Sequence, residues 1–212
     1  MPHYKAGKQI KLLEFSDIQI KVNKSTQDLS LESLAFFWIL YYTGCRKSEA
    51  YERLVSDCTL TKTNFILDFH KRKKGSSEVP PLKIPLWFPG MDLVCEQLEK
   101  ARSKSGRKRK LFEKTVKGIR STEYKRGNWL FPHVQSRWAQ IIVKKILGPK
   151  YYPHFLRLNR ITEICSDATS NLTRIKSFTG IKTIKVIEDY MGVREKEQDA
   201  SMDYIAKQIK GK

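Results

Sequence analysis

The sequence predicts a mixed fold, mainly α-helical with a small antiparallel β-hairpin or sheet. Three observations predict it. The run LAFFWILYY at 34 to 42 puts apolar residues on every helical face, the pattern of a helix buried all round. NFILDFH at 64 to 70 and LKIPLW at 82 to 87 flank the Gly- and Pro-containing stretch KRKKGSSEVPP, which reads as a hairpin with a long basic loop. Two further helical segments are expected over about 135–147 and 154–165.

Taken in order, residues 1 to 28 are short polar and apolar fragments, expected as an entry strand or extension. Ser30 to Thr43 is the central helix, with Ser30 or Asp28 as its cap and Gly44 as its stop. A second helix is expected from about Arg46 to Val55, then the hairpin, then a helix from about Met91. Residues 100 to 126 are the most charged segment, either a flexible surface insertion or a phosphate-contacting arm. Helices are also expected near Leu172–Phe178 and at 183–191, and the charged tail from Arg194 to Gln208 suits an amphipathic helix. The resulting division is an extension over 1–28, a domain over 29–192 with a basic insertion at about 100–128, and a tail over 193–212. No internal repeat is visible.

Length and composition fit one large domain or two small ones: 212 residues, 40% hydrophobic. Lys plus Arg is 41 against 22 Asp plus Glu, a formal charge of +19. Such an excess favours a polyanion, because each phosphate neutralised releases condensed counterions. The cysteines, Cys45, Cys58, Cys95 and Cys165, form no CxxC pair and have no histidine at zinc spacing. A disulfide scaffold or structural zinc is not expected, and a reducing cytoplasm suits them. No secretory signal is seen, and the longest apolar run is about half of a membrane span.

Four pieces carry chemistry. TGCRKSE, 43 to 49, puts Arg46 and Glu49 on one side of a new helical turn. The hairpin loop holds Lys71, Lys73 and Lys74. HFLR, 154 to 157, sets His154 and Arg157 at i and i+3, on one helix face, with Pro153 suited to the helix start. GIKTIKVIEDY ends in Tyr190, ten residues after Gly180. Each is weak alone. A lone His-x-x-Arg is usually surface, a TGxR turn is common between helices, and a basic hairpin tip is usually just solvated.

Their order along one basic chain resembles the catalytic domain of the tyrosine recombinases, the family of phage integrases and Xer recombinases. The resemblance covers about residues 30 to 192. The family pattern is an arginine in TGxRxxE, a hairpin lysine, a His-x-x-Arg helix, a Gly-His turn and a tyrosine nine residues later. The wording of FFWILYYTGCRKSEAYERL and YYPHFLRLNR most resembles integrases of archaeal viruses and plasmids.

The resemblance implies a role for each residue. Arg46 and Arg157 clamp the two non-bridging oxygens of one phosphate, because the planar guanidinium offers two donors and stays charged. Tyr190 is the nucleophile and leaves a 3′-phosphotyrosine and a free 5′-hydroxyl. Lys73, matched through KKG, protonates the departing oxygen. His154 assists proton transfer or holds the phosphate. Glu49 orients the active-site cations. Lys71, Lys74, Lys182 and Arg160 are candidates for further phosphate contacts, with Asn159 a weaker one. No cofactor and no metal are implied. The implied partner is double-stranded DNA at a specific attachment site. The implied assembly is a tetramer on DNA, with a monomer off it, a tail packed on a neighbouring protomer, and no membrane.

There is one departure. Nine residues before Tyr190 stands Ile181, where the family usually has His or Trp. Ile has no donor for a phosphate, and Lys182 substitutes only if the turn is rotated. The family's separate N-terminal domain has no counterpart in about 30 leading residues. The chain is therefore expected to be a catalytic-domain fragment or a short form. Two alternatives stand beside the integrase reading: a DNA-binding module of the same fold without complete chemistry, and a type IB topoisomerase-like nicking and closing activity.

Overall fold

The computed structural model describes residues 12–69, 80–104, 106–116, 119–165, 175, 176 and 178. The helices expected near 172–178 and at 183–191, and the tail, lie wholly or mostly outside these residues. The described elements are α1 (Phe15–Ser25), α2 (Leu31–Thr43), α3 (Lys47–Tyr51), β1 (Cys58–Leu60), β2 (Asn64–Leu67), β3 (Leu82–Pro85), α4 (Met91–Arg102), β4 (Arg107–Val116), β5 (Ile119–Gly127), α5 (Ser136–Leu147) and α6 (Pro153–Cys165). The fold is mainly helical with small antiparallel sheets, as the sequence predicts.

α2 is the centre. Every residue from Ser33 to Thr43 is buried, and the helix packs against α3, α4, α5 and α6. Full burial of each large side chain contributes about 1.5–3 kcal/mol. Ser30 caps it by accepting from the Ser33 N–H, and Gly44 ends it in the left-handed region at φ 54°. Trp38 stacks on Tyr42, centroids 5.4 Å apart and nearly parallel. The Tyr42 hydroxyl donates to the Pro89 carbonyl, so α2 is fastened to the turn that starts α4. Among the described residues no helix is long and apolar enough to cross a membrane.

Two expectations need correction. Residues 15 to 25 form helix α1, not a strand or loose extension; Ile18 and Val22, one turn apart, are its buried positions. The helix after Arg46 stops at Tyr51. Tertiary pairing pulls the next residues out: the Leu130 N–H donates to the Arg53 carbonyl and the Val55 N–H to the Asn128 carbonyl, with a bridge between Leu54 and Trp129. The basic segment after 100, expected as a surface insertion or a phosphate-contacting arm, has regular strand structure. Much of it is the two-stranded antiparallel ribbon β4–β5.

The expected hairpin is present as β2–β3, with Leu67 opposite Leu82 and Asn64 opposite Pro85. The short strand β1 adds to it, giving the order β1-β2-β3.

Candidate active site

Two helix ends meet at the site. The carboxyl end of α2 turns at Gly44 into Arg46, the residue that caps α3. The amino end of α6 begins at Pro153, where a missing N–H costs little. Between them lies an open cleft of about 370 Å³, lined by Arg46, Gln140, Tyr152, His154 and Arg157 among others.

Glu49 organises the first side. Its carboxylate accepts from the Arg46 backbone N–H at 2.7 Å and from Arg46 Nη1 at 2.8 Å. Glu49 is buried, while the Arg46 side chain is 47% exposed. One carboxylate therefore closes the first turn of α3 and holds the Arg46 guanidinium.

Arg157 organises the second side. It is 3% exposed, and its Nη1 donates to the Gly44 carbonyl at 2.6 Å. That carbonyl sits at the negative end of the α2 dipole, which favours a cation there. The bond ties α6 to the turn that carries Arg46, so the two arginines are placed by one local structure.

His154 sits half-buried beside both. Burial, then the Arg157 and Arg46 guanidinia, hold its imidazole below the ordinary histidine range. The ring is therefore neutral at pH 7, able to donate from one nitrogen and accept at the other.

The shift has a sign in stability. As pH falls below about 6.5 the unfolded chain takes up the His154 proton before the folded chain does, so stability drops across that window. We expect His154→Gln to lose less stability between pH 7 and pH 5 than the wild type. Urea midpoints at the two pH values check this, and parallel losses in both proteins would contradict it.

Arg160 lies outside the cleft. Its guanidinium pairs with Glu163 at 2.9 Å and sits over the rings of Tyr41 and Phe178. Asn159 is buried, and its amide is bonded at both ends to the backbone of Leu13. Lys71, Lys73, Lys74, Ile181, Lys182 and Tyr190 lie outside the described residues. Gln140, on α5, and Tyr152, just ahead of α6, line the cleft without having been expected there. A polar residue on the exposed side of an amphipathic helix carries no sequence signal of its own. Tyr41 and Tyr42, by contrast, are core residues whose hydroxyls are pushed up, chiefly by burial.

No family model and no curated protein matches this sequence. Solved structures do. The chain is similar to XerH site-specific recombinase bound to palindromic difH substrate in a post-cleavage complex, at TM-score 0.63 and 14% identity, covering 92% of this chain and 53% of that one. It is similar to XerA recombinase at TM-score 0.60 and 16% identity, covering 94% and 66%. The pre-cleavage XerH–difH complex matches at TM-score 0.58 and 17% identity, covering 91% and 54%. The chain thus spans about half to two thirds of the length of these structures. On this likeness the chain has the catalytic-domain fold of the tyrosine recombinases.

Proposed function

We propose that this chain is the catalytic part of a DNA strand-transferring recombinase that cleaves and rejoins duplex DNA through a 3′-phosphotyrosine. The observation that carries the reading is the convergence of Arg46, His154 and Arg157 on one open cleft. Two guanidinia and a neutral imidazole at the amino end of a helix are a donor set for a phosphodiester.

In this reading the Tyr190 oxygen attacks phosphorus. The new P–O bond forms as the bond to the 5′ oxygen breaks, and charge builds on the non-bridging oxygens that Arg46 and Arg157 face. Lys73, between β2 and β3 in the sequence, supplies the proton to the leaving oxygen. His154 accepts or relays the tyrosine proton. The linkage energy is kept in the phosphotyrosine, so rejoining needs no ATP. The target is an attachment site, engaged as an oligomer on DNA in the host cytoplasm. The wording around Arg46 and His154 favours an origin among the integrases of archaeal viruses and plasmids. One observation favours a second reading, a DNA-binding module of this fold without cleavage. Ile181 offers no hydrogen bond at the position nine before Tyr190.

A nicked suicide duplex decides between them. The expected result is an SDS-resistant protein–DNA adduct that forms with the wild type and is absent in Tyr190→Phe. Tyr152→Phe is expected to retain it. Binding with no adduct supports the second reading. An adduct that survives Tyr190→Phe and disappears in Tyr152→Phe moves the nucleophile to the cleft tyrosine.

A further inference from the structure

The β4–β5 ribbon has no role in the chemistry above. It carries eight basic residues against two acidic ones, a net charge of +6. Its register sets like charges directly opposite each other: Lys108 pairs with Arg126 and Arg109 with Lys125. Like charges across an antiparallel pair oppose folding. An isolated two-stranded ribbon is also only marginally stable in water. Yet β4 and β5 pair extensively with each other and, among the described residues, have no comparable packing against any other helix or strand. A ribbon with this excess of basic residues and, among the described residues, little packing against other elements is suited to an anionic partner.

The root, in contrast, is fixed. The buried Trp129 indole donates to the Arg107 carbonyl at 2.8 Å. Arg107 Nη1 lies 2.9 Å from His133 Nε2. An arginine can only donate, so Nε2 accepts and Nδ1 carries the proton, which points to Glu32 at 2.7 Å. The Glu32 carboxylate also accepts from the His133 and Val134 N–H groups. Glu32 lies in the first turn of α2, so this chain of bonds joins the ribbon root to the helix that leads into the Arg46 turn. Gly127 is packed so closely that a Cβ there would meet Leu54 Cδ2 at 2.6 Å.

The shaft suits a duplex. β4 is 10 residues long, about 33 Å at strand rise, close to one helical turn of DNA at about 34 Å. A two-stranded ribbon fits the major groove. The strand register shifts between Lys110 and Phe112.

We infer that the β4–β5 ribbon is a second DNA-binding element, a basic arm outside the cleft that lies against the duplex and grips its phosphates. The inference takes DNA from the proposed function as the partner, but it does not depend on cleavage.

The test is the salt dependence of binding to a duplex of about 40 base pairs, with two variants. The first is the quadruple substitution Lys108→Gln, Arg109→Gln, Lys125→Gln and Arg126→Gln. The second replaces residues 107 to 126 with a short Gly-Ser link between Gly106 and Gly127, whose backbones are adjacent. The slope of log K against log salt falls by about 0.9 for each phosphate that the protein no longer neutralises. We expect the quadruple variant to lose about 2 to 4 from that slope and at least 10-fold in affinity at low salt. The deletion should lose as much or more, and both should shorten the footprint on the duplex. The substitutions remove like-charge repulsion, so thermal melting of the quadruple variant should be unchanged or higher. Unchanged slope and footprint in both variants overturns the inference, as does a defect confined to self-association at equal DNA affinity, which would mark a protein partner. A ribbon-dependent slope without any adduct would sink the cleavage reading and leave the arm standing. A normal adduct with a ribbon-independent slope would do the reverse.

Discussion

Replacing Arg157 with alanine is expected to slow adduct formation on a suicide duplex by 10²–10³-fold and to destabilise the protein as well. The first effect is the loss of a preorganised donor at the developing phosphate charge, about 3–4 kcal/mol. The second arises because Arg157 Nη1 also donates to the Gly44 carbonyl. Leaving a buried acceptor without its partner costs about 1–3 kcal/mol. Arg46→Ala should separate the two effects. Its side chain is half-exposed, and the buried Glu49 carboxylate it pairs with still accepts from the backbone N–H of residue 46, so losing the side-chain pair should cost about 1 kcal/mol. A comparable rate loss is expected with a smaller loss of stability. Arg157→Lys keeps the charge but not the fork, and should recover little of the rate. Single-turnover rates and urea denaturation on the same three proteins check all of this. A full rate in Arg157→Ala, or equal destabilisation by both alanines, would refute the division of labour.

The largest loss of stability is expected at a residue far from any phosphate. Gly90 precedes α4 with φ +77°, and a Cβ there would overlap the Trp38 indole. Trp38 is 2% exposed and stacked on Tyr42, so it has no free volume to move into. Gly90→Ala therefore adds left-handed strain, about 1–2 kcal/mol, to an overpacked core, about 1–3 kcal/mol. Together these predict roughly 2–5 kcal/mol, a fall in melting temperature on the order of 5–15 °C for a chain of this size. Trp38 lies on the helix that ends in the Arg46 turn, so adduct formation should suffer too. Trp38→Phe, which leaves space for the new methyl, should restore part of the loss when added to Gly90→Ala. No change on thermal melting would show that the packing of Gly90 on Trp38 yields without cost.

How legible all this was depended on the kind of signal each element sends. α2 was clear because its apolar residues crowd every face, and its ends were clear because Ser30 and Gly44 do what their chemistry favours. The start of α6 was readable from Pro153. α1 was not, since its buried pair, Ile18 and Val22, sits among polar residues and gives little periodicity. α3 was overextended because the residues after it leave the helix to pair with Asn128, Trp129 and Leu130, far along the chain. The ribbon was opaque for a different reason. A strand pair held by its backbone and filled with lysine and arginine shows no alternation of apolar and polar residues. Arg46, His154 and Arg157, which line the cleft, and Glu49, bonded to Arg46, were singled out by their resemblance to the family pattern. The bond from Arg157 to Gly44 and the arrival of Gln140 are tertiary events with no local trace.

The clasp between Asn159 and Leu13 has a mechanical consequence. The Asn159 side chain accepts from the Leu13 N–H at 2.9 Å and donates to the Leu13 carbonyl at 3.0 Å. It grips the main chain as a neighbouring strand would. Asn159 is two residues from Arg157 on the same helix, so a displacement of Leu13 is delivered within one turn of the Arg157 guanidinium. The start of the described chain is thereby fastened to α6 as well as packed on the core through Leu12 and Leu13.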